Sequence, residues 1–571
     1  MCGIFGGVGI STIQARTCIE AIRRGNDGIS VRQYGDVVMA ARRHSVKRSA
    51  KPNVAEGESD QPYVSEDGQV QLVFNGELYT FAEIRDDLVA AGARFETKGD
   101  TEVFLRLYER EGREFVKNPK IDSLFSLAIH DQNTNELIIT RDWPGRIPLF
   151  YYYDPDRRVF LFSSELKGMR ELEWVPLDDA IELTPGDLAI LDLETFELRI
   201  EPYFRPTPRK MEAPIVEVGQ ELHRLLRRSA ANRTMGDVPI CTMFSGGIDS
   251  LLAGFYVLDS IDFDRVDYRP TGYVYAVEGS VSEDVRRAKV AAKGFEAIGF
   301  ELKEIRSTGE QLVEDIPDIV TTFETRRIKA LSVYPLPIYY YLAPVMHKDG
   351  FKVTIGGHGV DELLGAYDAW KELTASHKAQ TNVRSRMKFM SAIYENMLRR
   401  ASIIFMNLGP IEARFPFLQP DVCEYMLGID RKWLSISPEN AEIMLRLIDD
   451  RAGPRGDWTE QLSAIHAHLS HYLDANGEHP EDEDPDVIYE MEKLFWKFPM
   501  IVAGMQAAEE SFLPVWTLFN SKLRGQHGAG ITALEPKVVE RYRDLGETDG
   551  EIFQSIVNQA YRLDPAQSDA A

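Results

Sequence analysis

The sequence has little of what would mark a disulfide-stapled, zinc-clustered or membrane-spanning chain. Its four cysteines, Cys2, Cys18, Cys241 and Cys423, stand far apart, with no C-x-x-C pair and no neighbouring histidine co-ligands. Neither a disulfide framework nor a zinc cluster is therefore indicated, and a reducing compartment fits. No run reaches the roughly 20 apolar residues of a membrane span. The first residues, Met1-Cys2-Gly3-Ile4-Phe5-Gly6, lack the basic start and apolar stretch of a signal peptide. A cytoplasmic location is the expectation. Positive charge is also scarce: 65 Lys and Arg against 90 Asp and Glu give a formal net charge of -25. Such a field repels nucleic acid and anionic lipid, although it leaves room for a local basic pocket that takes phosphates. There is no Walker G-x-x-x-x-G-K-[ST] string, no internal repeat, and no low-complexity segment beyond the tail Ser568-Asp569-Ala570-Ala571.

What is present is a hydrophobic fraction of 44% over 571 residues, enough for two large cores. Up to about Pro202, short β-rich runs such as Val70–Phe74 and Glu136–Thr140 alternate with turns and helical stretches. That pattern predicts a mixed domain rich in sheet. The polar, proline-bearing Pro206–Lys210 and the amphipathic pattern that follows set the boundary, giving domains at 1–205 and 206–571. Beyond it a strand, a glycine loop and a helix follow one another from Val238 to Ile248, as at the start of a doubly wound parallel α/β domain. From about Gln380 onward the pattern is mostly helical, interrupted by the acidic run Glu478–Asp486, which is expected to be a solvated loop.

Two groups of residues carry chemistry. Once the initiator Met is removed, Cys2 becomes an amino-terminal nucleophile. Its α-amine, titrating near about 7.7–8.0, can serve as the base for its own thiol. In Phe74-Asn75-Gly76-Glu77-Leu78-Tyr79 the Asn75 amide and the Gly76 backbone N–H can converge on the oxyanion of a tetrahedral intermediate. Arg43 suits a bidentate clamp on an α-carboxylate, and Asp100 suits an α-ammonium. Together these describe a glutamine site. The second group is Ser245-Gly246-Gly247-Ile248-Asp249-Ser250, where glycines let backbone N–H groups curve around an anion at a helix start. There Ser245 and Ser250 add hydroxyls, and Asp249 can hold the Mg²⁺ that accompanies phosphates.

The stretches Met1–Ile4, Arg23–Gly28, Phe74–Tyr79 and Gly99–Glu102 resemble, in order and spacing, the class II glutamine amidotransferase domain. The Ser245 string resembles the pyrophosphate loop of enzymes that split ATP into AMP and pyrophosphate. Gly356-Gly357-His358-Gly359-Val360-Asp361-Glu362 and Glu412–Leu418 are similar to segments of the asparagine synthetases. The resemblance to the glutamine-hydrolysing asparagine synthetase family implies an Ntn-type αββα sandwich, followed by a doubly wound parallel α/β ATP-pyrophosphatase domain with a mostly helical C-terminal part. It also implies the chemistry: ammonia from glutamine amidates a small carboxylate that ATP has adenylated. By resemblance, Cys2, Asn75 and Gly76 are catalytic, and Arg43, Asn75, Glu77 and Asp100 bind glutamine. Ser245, Gly246, Gly247, Asp249, Ser250 and Val277 take ATP, Asp249 and Asp361 take the metal, and His358 and Glu362 face the acceptor. Arg524, in Lys522-Leu523-Arg524, takes the family's adenylation lysine role. A homodimer is among the expected assemblies.

Three departures stand out. Asn26 replaces the usual proline of R-G-P-D-G. His358 replaces a glutamate tied to the acceptor chemistry, and Glu324–Ser332 lacks the T-T-I-R pattern that helps hold aspartate. The last two point to an acceptor other than aspartate. The alternatives are ordinary asparagine synthesis in a rearranged pocket and, less favoured because the glutamine site is complete, a β-lactam synthetase-like ring closure.

Overall fold

The near-continuous apolar runs of the first two hundred residues form two antiparallel six-stranded sheets. This computed structural model describes all residues except 45–59, 329, 367–381, 454–458, 480–484, 520–528 and 565–571. In the first sheet Gly3–Val8 lies centrally, between Val37–Arg42 and Val159–Ser163. In the second, Val70–Leu78 and Ser123–Asp131 pair over their full lengths, every residue of both buried. Both strands are buried on both faces, and the burial takes in polar side chains such as Gln71, Asn75, Glu77, Ser126 and His130 as well as the apolar ones. Ile4, Val37 and Met39 of one sheet and Val73, Ala128 and Ile139 of the other share one core, so the sheets stack face to face. The outer face of the first sheet packs on the helix Thr12–Ala21. The outer face of the second packs on Phe81–Ala90 and Asp100–Glu111. The result is the expected αββα sandwich.

After the last antiparallel strand, Leu198–Pro202, the chain crosses to the helix Ile215–Arg233 and enters a parallel five-stranded sheet. Its order is Glu301–Ser307, Thr271–Val277, Ile240–Met243, Val353–Ile355, Glu412–Arg414. The chain builds outward from Ile240–Met243 in one direction and then returns to build in the other. The order therefore reverses between Ile240–Met243 and Val353–Ile355, and a crevice opens at the strands' carboxyl ends there, the usual ligand position in such sheets. The loops at Ser245 and Gly356 flank it. The strand Glu412–Arg414 falls inside the stretch that its sequence pattern assigned to helix. The described residues after it are helical or irregular. No described helix is long and apolar enough to cross a membrane.

Candidate functional site

Cys2 precedes the central strand Gly3–Val8 and is buried. Its Sγ accepts from the His44 backbone N–H at 3.4 Å. Burial pushes the thiol up to about 11, against the pull of the nearby terminal ammonium and of the His44 N–H. A thiol held that high forms no useful thiolate at neutral pH unless a base takes its proton, which is the task available to the α-amine of a trimmed Cys2. Met1 itself is buried, with its ammonium 3.3 Å from Glu412 Oε2.

Asn75 and Gly76 sit on the strand Val70–Leu78. The Asn75 amide nitrogen lies 3.2 Å from Ser164 Oγ and 3.5 Å from Ser126 Oγ, while its buried oxygen has no hydrogen-bond partner. A half-turn of the carboxamide exchanges the two ends. In that orientation the oxygen can accept from the serine hydroxyls, and both N–H donors are open to an acceptor. Gly76 has φ +155°, and a Cβ there would stand 2.0 Å from the Leu124 carbonyl oxygen, so no side chain fits. Asp100 accepts from the Leu78 N–H at 2.9 Å, drawing the helix start at Asp100 toward this strand. Glu77 is buried beside them. Burial, with Glu412 and Asp100 nearby, holds its carboxyl well above the usual range, although Arg414 pulls the other way.

Arg43 reaches the same region because its backbone N–H and C=O bond Gly28 and Asp27 at 2.8 and 3.0 Å. Its side chain lies 3.7 Å from Asp60, a loose pairing that leaves the guanidinium available to a carboxylate. The turn where proline is replaced is held by Arg42, whose guanidinium donates to the Gly25 carbonyl at 2.5 Å and to Asn26 Oδ1 at 3.2 Å.

In the crevice of the parallel sheet, Ser245 Oγ and Ser250 Oγ meet at 2.9 Å across the loop, and Ser250 also donates to the Gly247 carbonyl at 3.0 Å. Gly246 turns at φ +77°, where a Cβ would strike the backbone of Arg287 and Ala288 at 2.4 Å. Gly357 lies so close to the Asp249 backbone that a Cβ would approach to 2.5 Å, which seats the His358 loop on the Ser245 loop. Between them is a cavity of about 210 Å³ whose wall includes Ser245, Asp249, Tyr339, His358, Asp361 and Lys497. His358 Nε2 is 2.7 Å from Tyr339 Oη, and the His358 ring stands edge-on to Phe415 at 4.9 Å.

Asp249 and Asp361 converge on a single cation, the ammonium of Lys497. It lies 3.0 Å from Asp361 Oδ1 and also pairs with Asp249 Oδ2. Asp249 Oδ1 is buried without a hydrogen-bond partner, so the carboxylate pair has capacity left for a hard cation. These two residues fit the expected metal. Sequence reasoning missed Lys497. The available signal was a lysine set among Phe495, Trp496, Phe498 and Pro499, since lysine is seldom buried without a partner. It missed Tyr339 as well. Gly246, Val277 and Glu362 are not in the described cavity wall. Val277 uses its backbone on Ala529 at 3.0 Å, and Glu362 is buried on the helix Val360–Leu364; burial raises the Tyr339 hydroxyl, Arg400 pulls it down and Glu362 adds to the rise. Arg524 and Lys522 lie outside the described residues, as does part of the acidic run.

Residues 1–183 match the family model described as a glutamine amidotransferase domain, and residues 221–403 match the one described as asparagine synthase. The chain is 26% identical over 471 residues to the glutamine-hydrolysing asparagine synthetase of Sandersonia aurantiaca, covering 80% of this chain and 84% of that one. It is 26% identical over 469 residues to asparagine synthetase 1 of Arabidopsis thaliana, covering 80% and 75%. Among solved structures, the glutamine phosphoribosylpyrophosphate amidotransferase of B. subtilis overlaps 53% of this chain and 65% of its own at 17% identity, with a TM-score of 0.30. With both family models matched in order, and relatives that span four fifths of its length, the chain belongs to the glutamine-hydrolysing asparagine synthetase family, ATP-dependent ligases that take their nitrogen from glutamine.

Proposed function

We propose that residues 1–205 release ammonia from glutamine and that residues 206–571 use it to amidate a carboxylate activated as its adenylate. Cys2, trimmed of Met1, attacks the glutamine side-chain carbonyl while its α-amine takes the thiol proton. Asn75 and the Gly76 N–H stabilise the oxyanion, and Arg43 and Asp100 hold the amino-acid end. In the second half the Ser245–Ser250 loop receives the ATP phosphates, and the acceptor carboxylate attacks the α-phosphorus as pyrophosphate leaves. Asp249 and Asp361 would hold Mg²⁺, which would supply charge neutralisation for the phosphates. Lys497, rather than Arg524, then takes the adenylation lysine role, because its ammonium already reaches both carboxylates.

The observation that carries this reading is the strand Glu412–Arg414, which touches both sites. At one end Glu412 lies 3.3 Å from the amino group of Met1, the residue that trimming removes, and so one residue from where the Cys2 amine would stand. At the other the Arg414 carbonyl accepts from the Gly356 N–H at 3.0 Å, and Phe415 packs on His358. In this reading ammonia made at Cys2 passes along this buried strand to the acceptor site, since ammonia free in water would be protonated and lost.

The acceptor in this reading is a small carboxylate other than aspartate. The His358–Tyr339 pair presents a titratable ring and a hydroxyl where the family has a fixed negative charge. A pyrophosphate-release screen over carboxylates, with aspartate first, tests it. Turnover with aspartate at the level of the best panel member would restore ordinary asparagine synthesis. Absence of pyrophosphate release with every carboxylate would sink adenylation.

A further inference from the structure

One helical stretch touches the synthetase cavity and also a buried ion pair that lies beside the glutamine site. It is α-helical over Val383–Ile393, widens into π turns over Tyr394–Leu398 and Arg400–Ile404, and closes as α-helix over Phe405–Leu408. Wide turns of this kind are rare and concentrate at functional sites. Met397, in the first, stands in the wall of the cavity that holds Asp249 and His358. Ser402, in the second, and Asn407, just beyond it, reach into the glutaminase half instead. Ser402 Oγ accepts from Arg24 Nη2 at 2.9 Å, and its carbonyl accepts from the same nitrogen at 3.1 Å. Asn407 Nδ2 donates to Glu165 Oε1 at 2.9 Å, and its Oδ1 accepts from Lys167.

Arg24 and Glu165 are wholly buried and paired at 2.6 Å, and each is one step from the glutamine chemistry. Arg24 opens the Gly25–Gly28 turn, and its Cβ lies 3.6 Å from where a Cβ on Gly3 would stand, so it packs beside the Cys2–Gly3 backbone. Glu165 follows Ser164, whose Oγ bonds both the Ile4 N–H at 3.0 Å and the Asn75 carboxamide at 3.2 Å. A shift of Ser402 or Asn407 thus moves the anchor of the oxyanion donor and of the nucleophile's strand together. A π turn supplies such a shift, because the extra residue it carries can pass along a helix by exchanging one set of backbone hydrogen bonds for the next.

We propose that Ser402 and Asn407 are positioning residues of the glutamine half-reaction, and that the π-helical stretch 394–404 transmits occupancy of the ATP cavity, felt at Met397, to them. This rests on the reading that the two sites are a glutaminase and an ATP-using synthetase. It makes glutamine hydrolysis respond to nucleotide through a helix contributed by the other half of the chain.

The test measures glutamate release by the full-length enzyme with and without saturating Mg·ATP, in wild type, Ser402→Ala, Ser402→Thr and Asn407→Ala. Wild type is expected to change kcat for glutamine about fivefold or more on adding ATP, the lower end of ordinary coupling. Ser402→Ala and Asn407→Ala are expected to lower kcat with little change in KM and to bring the ATP ratio to within about twofold of unity, since an interaction made in the transition state is lost. Ser402→Thr keeps the hydroxyl and is expected to restore both, which a purely structural role would not require. Calorimetric ATP affinity unchanged in the variants accompanies the expected result. A wild-type kcat indifferent to ATP, or alanine variants that retain both the wild-type kcat and the wild-type ATP ratio, overturns the proposal. Absence of glutamate release from wild type overturns the glutaminase reading itself, and this proposal with it.

Discussion

Removal of the Lys497 ammonium tests the synthetase site most directly. The lysine is 4% exposed and its charge lies between Asp249 and Asp361. In Lys497→Met the methionine fills most of the aliphatic volume, but two carboxylates face each other without a cation. Taking one partner from a buried ion pair costs about 3–5 kcal/mol, and the partial exposure of Asp249 puts this case near about 3 kcal/mol. For a cooperative unit of several hundred residues, each kcal/mol moves the melting temperature by about 1–2 °C, so the variant should melt about 3–6 °C lower in EDTA. Mg²⁺ should then stabilise the variant more than the wild type, because no ammonium competes for the same oxygens. At about 100 times its Kd, a ligand of the folded state contributes about 2.7 kcal/mol, nearly the whole deficit. Scanning fluorimetry in EDTA and in MgCl₂ reads both quantities. Equal melting temperatures in EDTA, together with equal Mg²⁺ increments, would refute the claim that these three side chains form one cation site. Pyrophosphate release should fall about 100-fold or more even with Mg²⁺ present, as when a preorganised charge is removed from a transition state.

Three further outcomes are expected. Cys2→Ala should abolish glutamate release while leaving pyrophosphate release with added ammonium chloride intact, and mass spectrometry of active protein should find Cys2 at the amino terminus. Gly76→Ala should lose glutaminase activity and about 3 kcal/mol of stability, measured by urea unfolding, because its Cβ would enter the Leu124 carbonyl. Glu77 sets a pH dependence. Its carboxyl titrates near about 4.3 in the unfolded chain and well above its ordinary value in the fold. The folded state keeps a proton that the unfolded state releases, so this group's contribution to stability falls as pH rises from about 4.3 toward the folded value. Glu77→Gln should therefore gain melting temperature relative to wild type across that window while losing glutamine affinity. Parallel curves from pH 4 to 8 would contradict the assignment.

The parts legible in the sequence are those whose function is built locally. Ser245–Ser250 and Asn75–Gly76 carry their geometry within a few residues, so a short string suffices to read strand, turn and chemistry. The sheets of the sandwich were legible from short β-rich runs such as Val70–Phe74 and Glu136–Thr140, which lie in buried strands. Lys497 was not, because its meaning depends on a carboxylate 248 positions away. The strand Glu412–Arg414 was hidden by its brevity and by the helices around it, since three residues give no periodicity. The π turns at 394–404 leave no distinct pattern, being one extra residue inside an otherwise helical stretch. Val277 and Glu362 were placed by resemblance alone, and the cavity wall is made by Tyr339 and Lys497 beside the shared loops.

The contact between the halves combines apolar packing with several buried ion pairs, and the pairs have a consequence for how the halves align. Arg24–Glu165, Lys167–Glu324, Arg233–Asp122 and Arg399–Glu182 each join a residue below 205 to one above it or lie within a cluster that does. Such pairs contribute little net stability over apolar replacements, yet separating them exposes uncompensated charge and is costly. Their geometric demand is the useful part. A greasy interface tolerates sliding, whereas Arg24 satisfies Glu165 and the Ser402 hydroxyl in only one register of the halves. At that register the chain's amino-terminal residue meets Glu412 of the other half, and a displacement of an ångström or two would part the glutaminase end from the strand that leads to the synthetase cavity. Charge at the interface therefore contributes alignment more than adhesion. On this argument Arg24→Met should leave the melting temperature closer to wild type than its burial suggests, while the ratio of glutamate released to pyrophosphate released climbs.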